Sequence, residues 1–277
     1  MFNSIANVLG YLLNFIYNIV NNYGLAIILF TLLIKIVLLP ISIKQQKTMK
    51  KSAKMQVELK QIQEKYKNDQ EKANQEMMSL YKKNNMSPFS GCLSSIIQII
   101  LLLSVFYLVR SPLTYMKKVD LELIDKYKDE LSVSSNYPEV QVIKEKGGED
   151  ERVYLNMNFL GLDLSNVPSA NYKDFKVFII PVLYVLSSIV SMKLTLNMQG
   201  NSKKKKDDNT DENKEKELSE QMPDMSKSMS YMMPIMAVSI SLVAPLGLGL
   251  YWLVNNVLMI GERMLLNKFI KDEEEEA

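Results

Sequence analysis

Lys35 is the residue whose chemistry most needs explaining. It stands inside Gly24–Ile43 (GLAIILFTLLIKIVLLPISI), a run that is otherwise almost entirely apolar. About 20 residues rising ~1.5 Å each cross a hydrocarbon core of ~30 Å, so the run reads as a membrane span carrying an ammonium group. A cation in lipid is costly and marks function by default. Its chemistry is electrostatic: it attracts carboxylates or other anions.

Other chain segments place hydrogen-bonding groups near the same depth. Lys35 lies ~13 Å from the lysines that begin at Lys44, and Gln98 lies ~12 Å into a second apolar run. Ser239 is ~15 Å into a fourth, and Asn255 and Asn256 are ~17 Å from the end of a fifth. Ser187 and Ser188, in a third, fall within about one turn of that layer. Along the sequence no Asp or Glu shares this depth, and Glu262 is the nearest carboxylate. A charge so placed calls for water, which implies a hydrated cavity open to the cytoplasm. The competing reading has Lys35 snorkel to the headgroups along its ~6 Å stem, which falls short without membrane thinning.

Composition excludes much else. The chain has 277 residues with a net charge of +2, which gives no bulk-charge argument for nucleic acid. There is no histidine and Cys92 is the only cysteine, so histidine-based catalysis and an intrachain disulfide are excluded and a thiolate metal cluster is disfavoured. No Walker A loop is present. No cofactor is expected.

The elements that must position the polar layer follow from the segregation of apolar and charged blocks. Residues 1–21 have helical apolar spacing at Ile5, Leu9, Leu12, Ile16 and Ile19, without the basic start or cleavage site of a secretory signal. They read as an uncharged interfacial amphipathic helix, with an uncleaved signal-anchor-like segment as the alternative. Span 1 is 24–43. Residues 44–88 are lysine-rich, with one stripe at Met55, Leu59, Ile62 and Tyr66 and a second at Ala73, Met77 and Leu80 beyond a capping Asn68–Asp69. That pattern predicts an antiparallel helical hairpin, or else a merely solvated charged face. Span 2 is 92–109. Residues 110–173 are polar, with a helical pattern over Val119–Leu131 and a strand hairpin expected from Val140–Ile143 and Val153–Leu155 around Gly147–Gly148. Span 3 is 175–196. The charged low-complexity stretch 197–228 reads as a disordered loop, spans 4 and 5 are 229–243 and 246–267 with Ala244–Pro245 between them, and 268–277 is an acidic tail.

The expected fold is therefore all-α: a polytopic membrane protein with five transmembrane helices, an N-terminal amphipathic helix and a cytoplasmic helical hairpin. Lysines cluster after span 1, before span 2, after span 3 and after span 5, which with five spans is a single face. That face is cytoplasmic by the positive-inside rule, so a plasma-membrane protein with its N-terminus outside and C-terminus inside is expected, although Arg110, Lys117 and Lys118 dissent mildly. Short spans, the fourth above all, thin the bilayer locally. Met222, Met225, Met229, Met232, Met233 and Met236 cluster at the entry to span 4, suiting either promiscuous apolar binding or simple core filling. Trp252 lies in the outer third of span 5, where an interfacial anchor is the plain reading.

At these residues the chain resembles the YidC/Oxa/Alb family of membrane protein insertases, and most of all their Gram-positive five-span form. GLAIILFTLLIKIVLLPISIKQQ matches the family's G-x-A-I-I-x-x-T-x-x-x-R-x-x-x-x-P-x-x-x-K-Q pattern, with Lys35 at the groove arginine. NMSPFSGCLSSIIQ resembles the entry to span 2, and MMPIM and LGLYWLVNN resemble spans 4 and 5. The departures are Lys35 for arginine, which keeps the charge and loses the planar fork, Ser94 and Ile100 for prolines, Ser191 for a glutamine and Glu262 for a glutamine.

The resemblance implies an insertase and chaperone for small membrane proteins, not an enzyme. A hydrophobic segment meets the hairpin, its polar end enters the wet groove, and it slides into lipid without nucleotide hydrolysis. It implies that Lys35 attracts client acids, that Gln98, Ser187, Ser188, Ser191 and Asn256 keep the groove wet, and that Trp252 and Tyr251 line or cap its outer end. Met55, Leu59, Ile62, Met77 and Leu80 hold the hairpin together and greet clients. The implied partners are nascent membrane proteins, membrane lipids, the ribosome and the Sec translocon. From the polar layer alone, a secondary transporter or channel with Lys35 as an anion site stands comparably. Against it, the chain has no internal repeat and no matched pair of broken helices.

Overall fold

The computed structural model describes residues 2–84, 90–133, 135–200 and 239–275. The methionine cluster before Ser239, most of span 4 and most of the charged loop lie outside the described residues. The chain divides into two compact units: residues 1–37, 99–190 and 229–259 in the first, and 38–98, 191–228 and 260–277 in the second.

The helices are α1 (Phe2–Val20), α2 (Tyr23–Lys65), α3 (Gln70–Lys83), α4 (Ser90–Arg110), α5 (Leu121–Glu130), α6 (Pro138–Lys146), α7 (Ile179–Gly200) and α8 (Leu246–Glu275). A π-helical turn, Leu113–Lys117, follows α4, and a 3-10 turn, Phe175–Phe178, leads into α7. Among the described residues, two helical stretches, Tyr23–Ser52 and Phe175–Leu194, are long and apolar enough to cross a membrane. Both leave apolar side chains exposed, among them Leu29, Leu33, Ile36 and Val37 on α2 and Val182, Leu186, Ile189 and Val190 on α7. Water penalises such faces, whereas lipid suits them. Tyr172 and Phe175, both well exposed, sit just before α7 where aromatic side chains favour the membrane interface.

The α1–α2 joint is built by two asparagines. Asn21 adopts a left-handed conformation (φ 48°) that ends α1, a position asparagine tolerates better than most residues. Asn22 then caps α2, its Oδ1 accepting from the Leu25 N–H at 3.0 Å. Sequence pattern divides span 1 from the hairpin at residue 44, but α2 runs unbroken across that point with Pro40 inside it. At the far end Asp69 caps α3 by accepting from the Lys72 N–H at 3.0 Å, as its position predicts.

The first unit owns the larger core. Leu9, Leu13, Ile16 and Tyr17 of α1 join Tyr23, Ala26, Ile27 and Phe30 of α2 and Val105, Leu108 and Val109 of α4. Ile124 of α5, Val140 and Ile143 of α6, Leu164, and Leu246, Leu248 and Tyr251 of α8 complete it. α1 packs on the π-helical turn where Gly10 meets the Tyr115 carbonyl, so closely that a Cβ would overlap it.

The strand hairpin expected around Gly147–Gly148 does not form. Pro138 opens a helix at its first position, where proline's fixed φ is favourable, and Val140, Val142 and Ile143 enter the core from it. The β-branched residues signal packing here rather than strand. The one described antiparallel pair is β1 (Asn158–Phe159) with β2 (Leu162–Asp163), turned by Leu160 (φ 52°) and Gly161 (φ 79°). Apart from this two-residue ladder the described fold is all-α.

Candidate functional site: a polar cluster between apolar helices

Asn256 lies on α8 with a buried side chain. Its Nδ2 donates to Ser187 Oγ at 2.9 Å and to Ser188 Oγ at 3.2 Å, both on α7. Ser187 Oγ donates in turn to the Tyr184 carbonyl at 2.8 Å. About one turn toward the N-terminus of each helix, the Tyr184 and Trp252 rings lie 6.1 Å apart and tilted by 34°. Two apolar helices are thus joined by a carboxamide, two hydroxyls and an aromatic pair. Three of the residues that sequence reasoning places at one depth are brought together here.

Lys35 is half-buried on α2, one turn beyond Thr31, which is itself buried and donates to the Ile27 carbonyl at 2.6 Å. The motif residues Gly24, Ala26, Ile27 and Thr31 have structural work: Gly24 admits the Phe159 ring, and the other three are buried. Tyr251 is buried in the core of the first unit, and Trp252 packs against that core. Ser191 is buried and belongs to the second unit. Gln98 lies on α4, but its side chain is outside the described residues. In the 44–88 segment Met55 and Leu80 are buried, Leu59, Ile62 and Met77 are half-buried, and Gln63 Nε2 approaches the Met77 sulfur at 3.7 Å.

Two positioning devices escape sequence reasoning. In the second unit, Gln46 is buried and its Nε2 donates to the Arg263 carbonyl at 3.3 Å and to Asn267 Oδ1 at 3.0 Å, tying α2 to α8. Its signal was present in the KQQ that closes the first motif. In the first unit, residues 156–158 staple the α1–α2 joint. The Asn156 N–H donates to the Tyr17 hydroxyl at 2.9 Å, its Nδ2 to the Asn21 carbonyl at 2.9 Å, and its carbonyl accepts from the Tyr23 N–H at 3.0 Å. Nothing local in the sequence points to it.

The segment outside the spans carries its own electrostatics. Glu139 is buried and accepts from the Thr114 N–H at 3.0 Å and the Thr114 hydroxyl at 2.6 Å. The Arg152 guanidinium and then the Tyr127 hydroxyl hold the Asp150 carboxyl well below the usual carboxylate range. Burial lowers the Lys117 ammonium, whose Nζ donates to the carbonyls of Glu151 and Tyr154 at 2.9 and 2.8 Å. No group of three or more His, Cys, Asp or Glu able to hold a metal occurs among the described residues.

The family described as 60Kd inner membrane protein matches residues 15–274, nearly the whole chain. The chain belongs to this family. Among its relatives, the membrane protein insertase YidC of Fusobacterium nucleatum subsp. nucleatum is 40% identical over 111 residues, 40% of this chain and 54% of that protein. The YidC of Treponema denticola is 28% identical over 264 residues, 95% of this chain and 37% of the relative. That of Pelobacter propionicus is 29% identical over 271 residues, 98% of this chain and 40% of the relative. This family member therefore spans roughly half or less of the length of these curated relatives. The match runs through the polar cluster and the Lys35 helix alike.

Proposed function

We propose that this family member is a membrane protein insertase and chaperone that moves hydrophobic segments of small membrane proteins into the bilayer. Its family membership carries this reading, since the matched stretch includes every helix that bears the polar groups. The work is physical rather than enzymatic: releasing an apolar helix into lipid is downhill and requires no nucleotide.

In the proposed mechanism the chain crosses the plasma membrane five times, in the Gram-positive arrangement, with the N-terminus outside and the C-terminus inside. Lys35, Gln98, Ser187, Ser188, Ser191 and Asn256 line a hydrated groove open to the cytoplasm. Trp252 and Tyr251 close its outer end. The packed core at the outer ends of α1, α2, α4 and α8 supports such a closure. A client's polar end enters from the cytoplasm, its acidic residues drawn to the Lys35 ammonium, and its apolar part passes into lipid. The α2–α3 hairpin, through Met55, Leu59, Ile62, Met77 and Leu80, receives the client as it leaves the ribosome, and the Sec translocon is a further partner. α1 lies in the outer interface. Its exposed face at Val8, Tyr11, Phe15 and Ile19, with spacing of three and four residues, supports that placement.

The test is rescue of cells depleted of their native insertase, using a client with an acidic N-terminal tail. Lys35→Arg rescues, Lys35→Ala rescues in part, and Lys35→Glu fails on that client. Rescue by Lys35→Glu equal to wild type for every client refutes electrostatic capture.

A further inference from the structure

A basic groove lies beside α1, outside the polar cluster and unused by the mechanism above. It is open, about 690 Å³ in volume, and lined by Lys117, Lys118, Asp120, Glu122, Lys126 and Arg152 with two apolar neighbours. Its cations are not equivalent. Arg152 is neutralised by Asp150, Nη2 to Oδ2 at 2.7 Å. One Asp120 oxygen is engaged in capping α5, accepting from the Glu122 N–H at 3.1 Å. Lys117 and Lys118 donate to neutral acceptors rather than to carboxylates, although the Asp150 and Glu151 charges act on Lys117 as well. Lys117 reaches two backbone carbonyls, and Lys118 donates to Asn7 Oδ1 at 2.5 Å while lying 4.4 Å from the centre of the Tyr11 ring. Lys126 is exposed at the groove wall.

Two observations give this groove an orientation. Tyr11 belongs to the exposed apolar face of α1, so Lys118 stands where an apolar stripe meets a basic one. Lys118 also adopts a left-handed backbone (φ 55°), a conformation disfavoured for lysine and found where the surroundings impose it. The π-helical turn therefore holds Lys118 over α1. An apolar face flanked by ammonium groups that outnumber the carboxylates of the same groove matches a phospholipid: acyl chains below, phosphate above.

We infer that this groove binds the phosphate of an anionic phospholipid headgroup in the outer leaflet, seating α1 and residues 113–130 on the membrane through Lys117, Lys118 and Lys126. The inference rests on the proposed five-span topology, which puts residues 110–173, between spans 2 and 3, on the outer side.

The test uses the full chain, purified in detergent, and compares retention of phosphatidylglycerol and phosphatidylcholine by native mass spectrometry. Lys118→Gln and Lys126→Gln each lower phosphatidylglycerol retention about fivefold, the factor for about 1 kcal/mol of headgroup attraction per lysine. Phosphatidylcholine retention stays unchanged, and excess inorganic phosphate does not displace the lipid. Lys126 lies exposed on the groove wall, so its variant keeps the test independent of folding. Retention indifferent to both substitutions overturns the inference. Displacement by inorganic phosphate overturns it in favour of a free-anion site. Placement is read separately in intact cells, using Lys126→Cys in a Cys92→Ser background and a membrane-impermeant maleimide. Labelling of intact cells supports the outer position, and labelling only after permeabilisation overturns it whatever the lipid result.

Discussion

Asn256→Leu removes the carboxamide that joins α8 to α7 while keeping a helix-forming side chain of similar size. Two hydrogen bonds are lost, to Ser187 and Ser188. Interhelical hydrogen bonds within membranes average about 0.6 kcal/mol each, so the substitution costs about 1.2 kcal/mol. The serines are not stranded, because Ser187 already donates to the Tyr184 carbonyl and a helical serine can bond back along its own helix. The cost is therefore the pair interaction alone. Reversible unfolding in mixed micelles, run as a double-mutant cycle with Ser187→Ala and Ser188→Ala, isolates it. A coupling energy near 1 kcal/mol is expected, with the combined variant little worse than Asn256→Leu. Effects that add to within about 0.3 kcal/mol refute the bridge. Insertion assays on the same variant extend the argument to function. Under the proposed groove mechanism, Asn256→Leu slows clients with polar tails more than clients with wholly apolar ends, and equal slowing of both removes the proposed groove-wetting role from Asn256.

Three further outcomes follow from positions outside that cluster. Gly10→Leu drives a side chain into the Tyr115 carbonyl and so displaces α1 from the π-helical turn; limited proteolysis of residues 2–20 should become faster, with unchanged proteolysis as the contrary result. Asp69→Ala removes the α3 cap at a cost of about 1 kcal/mol, read as faster amide exchange over residues 70–76, whereas Asp69→Asn preserves most of the protection. Asp150 has its folded pKa depressed by Arg152 and Tyr127, so its stabilising contribution is present above the unfolded value of about 4 and is lost as pH falls through the lower folded value. The difference in thermal midpoint between wild type and Asp150→Asn should hold constant from neutral pH to about 5 and shrink only below about 4; a difference that already shrinks between neutral pH and about 5 contradicts the assigned cause.

Helices proved legible wherever a local signal fixed them. Asp69 caps α3, Pro245 precedes α8, and α5 falls within the helical pattern of Val119–Leu131. The misread segment shows the limit. Val140, Val142, Ile143 and Val153 look like strand residues by type, yet their burial comes from a core assembled by α1, α2, α4 and α8, which no window of sequence contains. Pro138 at the first helical position was the local cue that outweighed them. The boundary placed at residue 44 marks no helix end, for a different reason. Hydropathy changes sharply there, but polarity changes solvent rather than backbone, and the helical hydrogen bonds run on through the boundary.

The polar cluster was legible to the extent that depth could be counted. A rise of ~1.5 Å per residue puts Ser187, Ser188 and Asn256 within a turn of one another along the membrane normal, and the structure joins them by hydrogen bonds. Depth says nothing about azimuth, however. Nothing in the count distinguishes Asn256, which is buried and turned to α7, from its neighbour Asn255, one helical step of about 100° away. The same ignorance explains why Gln46 and Asn156 passed unnoticed: each acts by facing one particular backbone segment far away in sequence. Azimuth is set by which face of a helix is apolar enough for lipid, and on α7 that face is marked by Val182, Leu186, Ile189 and Val190. Ser187 and Ser188 follow Leu186 directly and precede Ile189, so they are turned away from lipid by the residues that must meet it. The greasy side chains of α7 thereby aim its hydroxyls at Asn256.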